Sequence, residues 1–147
     1  MMTNKELIKL YPFLQIRNIF TNELAPEWVD FTMLDDIPKG WRESFGIKMC
    51  EEIKELLIKE NKFEEYQVMQ IKEKFGELRW YGNYISPELS KILDKYTKLS
   101  RFTCMICGNT AKYVDTPYIY PICDRCSETF NTSRLRSVEK YWEEWDE

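Results

Sequence analysis

The most constraining feature of the chain is a pair of Cys-x2-Cys motifs, Cys104-Met-Ile-Cys107 and Cys123-Asp-Arg-Cys126, with residues 108–122 between them. Two intervening residues let one tight turn aim both sulfurs at a common point, and two such turns complete a tetrahedron of thiolates. Gly108 directly follows the first pair, where the turn calls for a residue free to take positive φ. The run 111–120 sets Tyr113, Val114, Tyr118 and Ile119 around Asp115-Thr116-Pro117, which suits a short hairpin between the two turns. The pattern predicts a zinc-ribbon-like module in which Cys104, Cys107, Cys123 and Cys126 hold one Zn2+.

The chain contains no histidine. Any metal site of this kind is therefore all-cysteine. The same absence removes Ser-His-Asp and Cys-His nucleophile pairs, HExxH metalloenzymes and any histidine general base. Four thiolates fill the zinc shell and leave no open coordination position, so the predicted role is structural. The zinc deaminase signature fails as well, because its H-x-E element is missing and Pro121 stands two residues before Cys123. Metal binding at comparable small sites is worth on the order of 10 kcal/mol and would act as folding energy for residues 102–126. Three other readings compete with zinc. Two disulfides need an oxidising compartment, a thioredoxin-like pair leaves the second motif unexplained, and an iron–sulfur cluster uses the same four ligands. Zinc is preferred to all three.

Apolar residues make up 44% of the chain and aromatics 15%, enough for a real core and unlike a disordered segment. No uncharged apolar run approaches the roughly 20 residues that cross a bilayer. The opening MMTNKELIKL carries charges within its first seven positions and lacks a signal-peptide pattern, so the expectation is a cytoplasmic protein with no membrane partner. A net charge of −4 weighs against general nucleic-acid binding, although residues 61–101 hold 8 basic against 6 acidic groups.

Along the chain, Thr3 and Glu6 have capping-box spacing and open a short helix that Pro12 limits. Residues 13–36, including Phe13, Leu14, Ile16, Phe20, Trp28 and Phe31, show no clear period. Trp41, Phe45, Met49, Ile53, Leu56 and Leu57 recur at steps of three or four and predict the main core helix, ending near Asn61. Tyr66, Val68, Met69 and Ile71 read as one strand and Leu78 and Trp80 as a second. Phe75-Gly76 then forms a kink or turn, and Lys72-Glu73-Lys74 a solvated hairpin tip. Ser86-Pro87-Glu88 starts another helix with Leu89, Ile92, Leu93, Tyr96 and Leu99 on one face. A last helix is predicted from about Ser133, through Leu135, Val138, Trp142 and Trp145. The fold class is α+β: helices packed on a small antiparallel hairpin or sheet, with a four-cysteine, zinc-ribbon-like module and a C-terminal helix. Residues 1–101 form the α+β core and 102–147 the cysteine module with its helix, packed as one unit because no flexible linker separates them.

Lys72, Lys74, Arg79 and Arg101, near Tyr66, Trp80 and Tyr81, are the one basic and aromatic cluster. It could track a single nucleic-acid strand through stacking and phosphate contacts. The same residues fit a hairpin whose aromatics are core and whose charges are solubilising. Cys50, beside Met49 in the core helix, reads as a buried inert thiol. Glu51, Glu52, Glu64, Glu65, Glu143 and Glu144 read as solvated helix faces.

Three segments together carry a resemblance: Gly40-Trp41 followed by Met49-Cys50-Glu51-Glu52-Ile53; Gln70-Ile-Lys-Glu-Lys-Phe-Gly-Glu-Leu-Arg-Trp-Tyr81; and Thr103-Cys-Met-Ile-Cys-Gly108 with Ile122-Cys-Asp-Arg-Cys126. Over roughly residues 40–126 the chain resembles an uncharacterised family of small proteins of bacteriophages, prophages and bacteria. It departs from that pattern around Phe45-Gly46-Ile47, where the helix reads as less regular. The family supplies no activity. The resemblance implies a small non-enzymatic protein that binds host machinery. The leading expectation is thus a structural-zinc protein acting by macromolecular binding, with a host protein as partner. The alternatives are a nucleic-acid-binding accessory protein using Lys72, Lys74, Arg79, Trp80 and Arg101, and an enzyme built on carboxylates.

Overall fold

The computed structural model describes residues 2–18, 20–24 and 30–147; Trp28 lies outside them. The fold is α+β. Helix α1 (Asn4–Leu10) opens on the expected capping box, with the Thr3 N–H donating to Glu6 Oε2 at 2.8 Å and the Glu6 N–H to Thr3 Oγ1 at 3.2 Å. A 3-10 turn at Pro12–Leu14 buries Phe13 and Leu14. The stretch without period holds isolated bridges, Gln15 to Thr32 and Arg17 to Leu24, and a second 3-10 turn at Met33–Asp36.

The core helix runs through α2 (Lys39–Trp41), a π-helical turn at Arg42–Gly46, and α3 (Ile47–Lys59). The wide turn has a reason in the sequence. Trp41, Phe45, Met49, Ile53 and Leu57 are all buried and follow one another at steps of four. In a regular helix each such step drifts about 40° around the axis. A π turn accommodates more residues per turn and brings the early members of the series back onto one face.

Strands β1 (Val68–Lys74) and β2 (Glu77–Gly82) form an antiparallel hairpin in which Ile71 faces Trp80 and Lys74 faces Glu77. Its tip is the two-residue turn Phe75-Gly76, with φ of 54° and 79°. Two positive φ values match the right-handed twist of the strands, as in a type I′ turn. Lys72-Glu73-Lys74 therefore belongs to β1 and not to the tip, because a turn this tight needs no further residues. Helix α4 (Pro87–Ser100) starts at Ser86, whose side chain accepts from the Leu89 N–H. Its buried face is Leu89, Tyr96 and Ser100, whereas Leu99 is exposed. Ser100 takes the inward place because its Oγ accepts the Leu78 N–H at 2.9 Å and satisfies the edge of β2.

The C-terminal part is a three-stranded antiparallel sheet in the order β4 (Tyr120–Ile122), β3 (Tyr113–Asp115), β5 (Leu135–Ser137), followed by α5 (Val138–Trp145). The last helix thus begins five residues later than its apolar spacing suggests, counting from 133 to 138. Leu135 pairs with Asp115 in the sheet, and Arg134 forms a two-pronged ion pair with buried Asp115 at 2.9 and 2.6 Å. Sheet pairing and this bridge override local helical periodicity.

Two joints tie the C-terminal part to the main core. At the first, the Gly40 N–H donates to Met105 O and the Trp41 Nε1–H to Thr103 O, both at 2.9 Å. A Cβ on Gly40 would lie 2.2 Å from Cys104 O and 2.7 Å from Gly108 N. At the second, a Cβ on Gly76 would lie 2.8 Å from Ile119, and the Trp142 Nε1–H donates to Arg101 O at 2.9 Å. Met105 joins the main apolar core. Gly40→Ala is expected to destabilise the fold by roughly 3 kcal/mol, because the neighbouring atoms are main chain and cannot swing aside. Urea unfolding checks this; an unchanged midpoint would mean the contact is slack.

Candidate metal centre

Each Cys-x2-Cys motif is a compact turn closed by main-chain bonds. In the first, the Cys104 N–H donates to Asn109 O at 2.7 Å and the Gly108 N–H to Cys104 O at 3.0 Å. Gly108 takes φ +86°, a value available to it without a Cβ penalty. In the second, the Ser127 N–H donates to Cys123 O at 3.0 Å and leads into a 3-10 turn, Cys126–Thr129. The β3–β4 hairpin sets the distance between the two turns. It joins them directly, with the Met105 N–H donating to Pro121 O at 3.0 Å and the Lys112 N–H to Ile122 O at 2.9 Å.

The result is one cluster. The sulfurs of Cys104, Cys107, Cys123 and Cys126 all lie within 4.8 Å of one another, with Cys107 and Cys123 at 3.5 Å, and all four cysteines are free thiols. Four sulfurs about 2.3 Å from a tetrahedral centre would stand about 3.8 Å apart, so the observed spacing fits a single ion. Among the described residues it is the one group of cysteine and acidic ligands gathered in this way. Cys104 and Cys123 are buried, Cys126 is half-buried and Cys107 is exposed. Ile122 and Phe130 pack against the cluster.

The electrostatics of the four thiols suit a site that could hold a cation. Burial by itself would raise Cys104, but main-chain N–H donors at Cys107, Cys123 and Ile106 pull its pKa down to about 7. Burial pushes Cys126 up, and its neighbours in the cluster push it further. The N–H groups that converge on Cys104 favour its thiolate, and a negative charge there opposes a second one at Cys126. A divalent ion at the centre would remove that opposition. Two more N–H groups point at sulfur, Asn109 to Cys107 Sγ at 3.5 Å and Cys126 to Cys123 Sγ at 3.4 Å.

The basic and aromatic cluster has a different fate. Trp80 faces the core at 8% exposure and donates its Nε1–H to the Tyr66 hydroxyl at 2.9 Å. Arg101 lies at the second joint. Its Nε donates to Glu77 Oε2 at 3.0 Å, its Nη1 to Asp146 Oδ2 at 3.0 Å, and its guanidinium stacks over Trp142 at 4.8 Å. Arg79 shares Glu77 at 3.3 Å. Lys72 and Lys74 lie over Tyr81 and Phe75. The five residues are brought to one hairpin region, but two of them, Trp80 and Arg101, are already engaged inside the protein.

Cys50 is fully buried and burial raises its pKa, as expected of an inert thiol. Glu51 and Glu52 do more than face solvent, since each accepts a phenol hydroxyl, from Tyr11 at 2.7 Å and from Tyr96. Residue spacing gave no sign of an aromatic surface that the fold assembles. Phe75 at the hairpin tip and Trp145 on α5 lie 6.2 Å apart and both are half exposed, and Tyr141 stacks on Trp145 at 6.2 Å. The available signal was Phe75 itself, in a turn position that usually takes Asn, Asp or Gly.

Arg101→Leu is expected to cost about 3–5 kcal/mol, because it leaves the Glu77 carboxylate buried without its main partner. Thermal and urea unfolding measure this; a stable variant would return Arg101 to the list of free surface cations. No protein-family model, curated protein or solved structure matches the chain.

Proposed function

We propose that the chain is a non-enzymatic protein braced by one structural Zn2+ on Cys104, Cys107, Cys123 and Cys126, and that it acts by binding another protein. The observation that carries the zinc reading is the closed set of four sulfurs on two turns docked main chain to main chain. Thiolate softness favours zinc over magnesium or calcium, and the filled shell leaves no place for substrate. The ion would hold the two turns together and bring no chemistry of its own. Residues Phe75, Tyr141 and Trp145 support the binding reading, because aromatic side chains are enriched at protein interfaces. Phe75 keeps φ at 54°, an uncommon value for a bulky residue, while half exposed. The phage-type resemblance suggests a bacterial host protein as partner. The nucleic-acid reading is weaker, since Trp80 and Arg101 are turned inward.

Elemental analysis of the purified protein is expected to return one zinc per chain. Cys126→Ser and a strong chelator should both remove it, with loss of near-ultraviolet dichroism from Trp142. A metal-free protein with unchanged spectra would overturn the structural role; iron in place of zinc would revise the ion. A host-lysate pull-down is expected to recover one stoichiometric protein, and Phe75→Ala with Trp145→Ala to lose it while unfolding stays unchanged. Recovery of nothing stoichiometric counts against protein binding.

A further inference from the structure

The edge of β2 opposite β1 is only half covered. Lys74 and Glu77 flank the two-residue turn, so they form a bonded pair, and alternation makes Arg79 and Lys72 the next. Leu78 and Trp80 therefore direct their N–H and C=O groups away from β1. At Leu78 helix α4 satisfies both: the N–H donates to Ser100 Oγ at 2.9 Å, and the Thr97 hydroxyl donates to Leu78 O at 3.0 Å. One step along, the Trp80 main-chain groups have no partner among the described residues. A groove opens there between β2 and α4, lined by Arg79, Trp80 and Tyr81 on one side and Ser90, Leu93 and Asp94 on the other. Arg79 forms one lip. Its Nε is buried and has no hydrogen-bond partner among the described residues, and Glu77, its acidic partner there, is shared with Arg101.

We propose that this groove takes an extended peptide segment of a partner protein, which adds to β2 as a third strand and places a carboxylate against Arg79. The groups at Trp80 point to the occupant, because no α4 hydroxyl meets them as Ser100 and Thr97 do at Leu78, and an extended main chain offers an acceptor and a donor at this spacing. The peptide residue bonded to Trp80 has its side chain on the inner face, over Leu93, and calls for an apolar group. The next residue faces Arg79 and calls for Asp or Glu, which a guanidinium binds through charge-assisted bonds. The inference rests on the protein-binding reading above and assigns it a surface separate from the aromatic one.

The test pans a random-peptide display library against the full-length, metal-loaded protein and maps the enriched peptides by amide NMR. The expected peptides place an apolar residue beside an acidic one. The Trp80 amide should shift and become protected from exchange. Arg79→Gln should weaken binding about tenfold, the scale of one charge-assisted bond. Methylating the peptide nitrogen that bonds Trp80 O should abolish binding, a readout independent of how any variant folds. No enrichment, or binding indifferent to both changes, overturns the proposal. A footprint on Phe75 and Trp145 refutes the groove while leaving protein binding standing. Concentration-dependent broadening at Trp80 would assign the edge to a second copy of the chain, and displacement of the peptide by single-stranded oligonucleotide would refute both readings.

Discussion

The contact between Gly40 and the first cysteine turn holds the rest of the structure in relation. A helix begins with N–H groups that have no partner inside it. The core helix begins after Pro38, which has no side-chain cap to offer. Met105 O supplies the missing acceptor to the Gly40 N–H, so the cysteine turn serves as the cap of the core helix. Neither Gly40 nor Gly108 could carry a side chain and keep this approach, since each would drive a Cβ into the other's main chain. Trp41 then turns inward and reaches Thr103 O. The Gly-Trp pair and the Cys-x2-Cys-Gly run are thus two sides of one interaction, although the chain between Trp41 and Cys104 includes the rest of the core helix, the β1–β2 hairpin and α4.

The second joint works by charge and shape. Glu77 is nearly fully buried and is neutralised by Arg101 and Arg79. Such a buried pair contributes little net stability against an apolar replacement, yet it is costly to break from one side. Its effect is to fix register. Arg101 ends α4, faces the hairpin through Glu77, and sits against α5 through Trp142 and Asp146.

Much of this was readable in the chain where a local rule governs. The Ser86-Pro87 helix start, the Thr3 capping box, the four gathered cysteines and the inward face of α3 follow from spacing alone. The misreadings share a cause. Leu135 has helical spacing to Val138 but is drawn into β5 by pairing with β3 and by the Arg134–Asp115 bridge. Leu99 cedes its place to Ser100 because a strand edge needed a hydrogen-bond acceptor more than the core needed another apolar group. Arg101 looks like any surface cation in sequence, because nothing local reveals that a buried carboxylate waits at Glu77. Long-range partners decide each case, and periodicity carries no record of them.

The two joints also place the cysteine cluster in mechanical contact with the exposed aromatics. The cluster sets the ends of β3 and β4. Their connecting loop holds Ile119 at φ 62°, a strained value for a β-branched residue, and presses it on Gly76 at the hairpin tip. Gly76 touches Trp142 as well, and the neighbouring Phe75 meets Trp145. An ion held by the cysteine turns would therefore limit the freedom of the hairpin tip, and with it the setting of Phe75 against Trp145, without touching either residue.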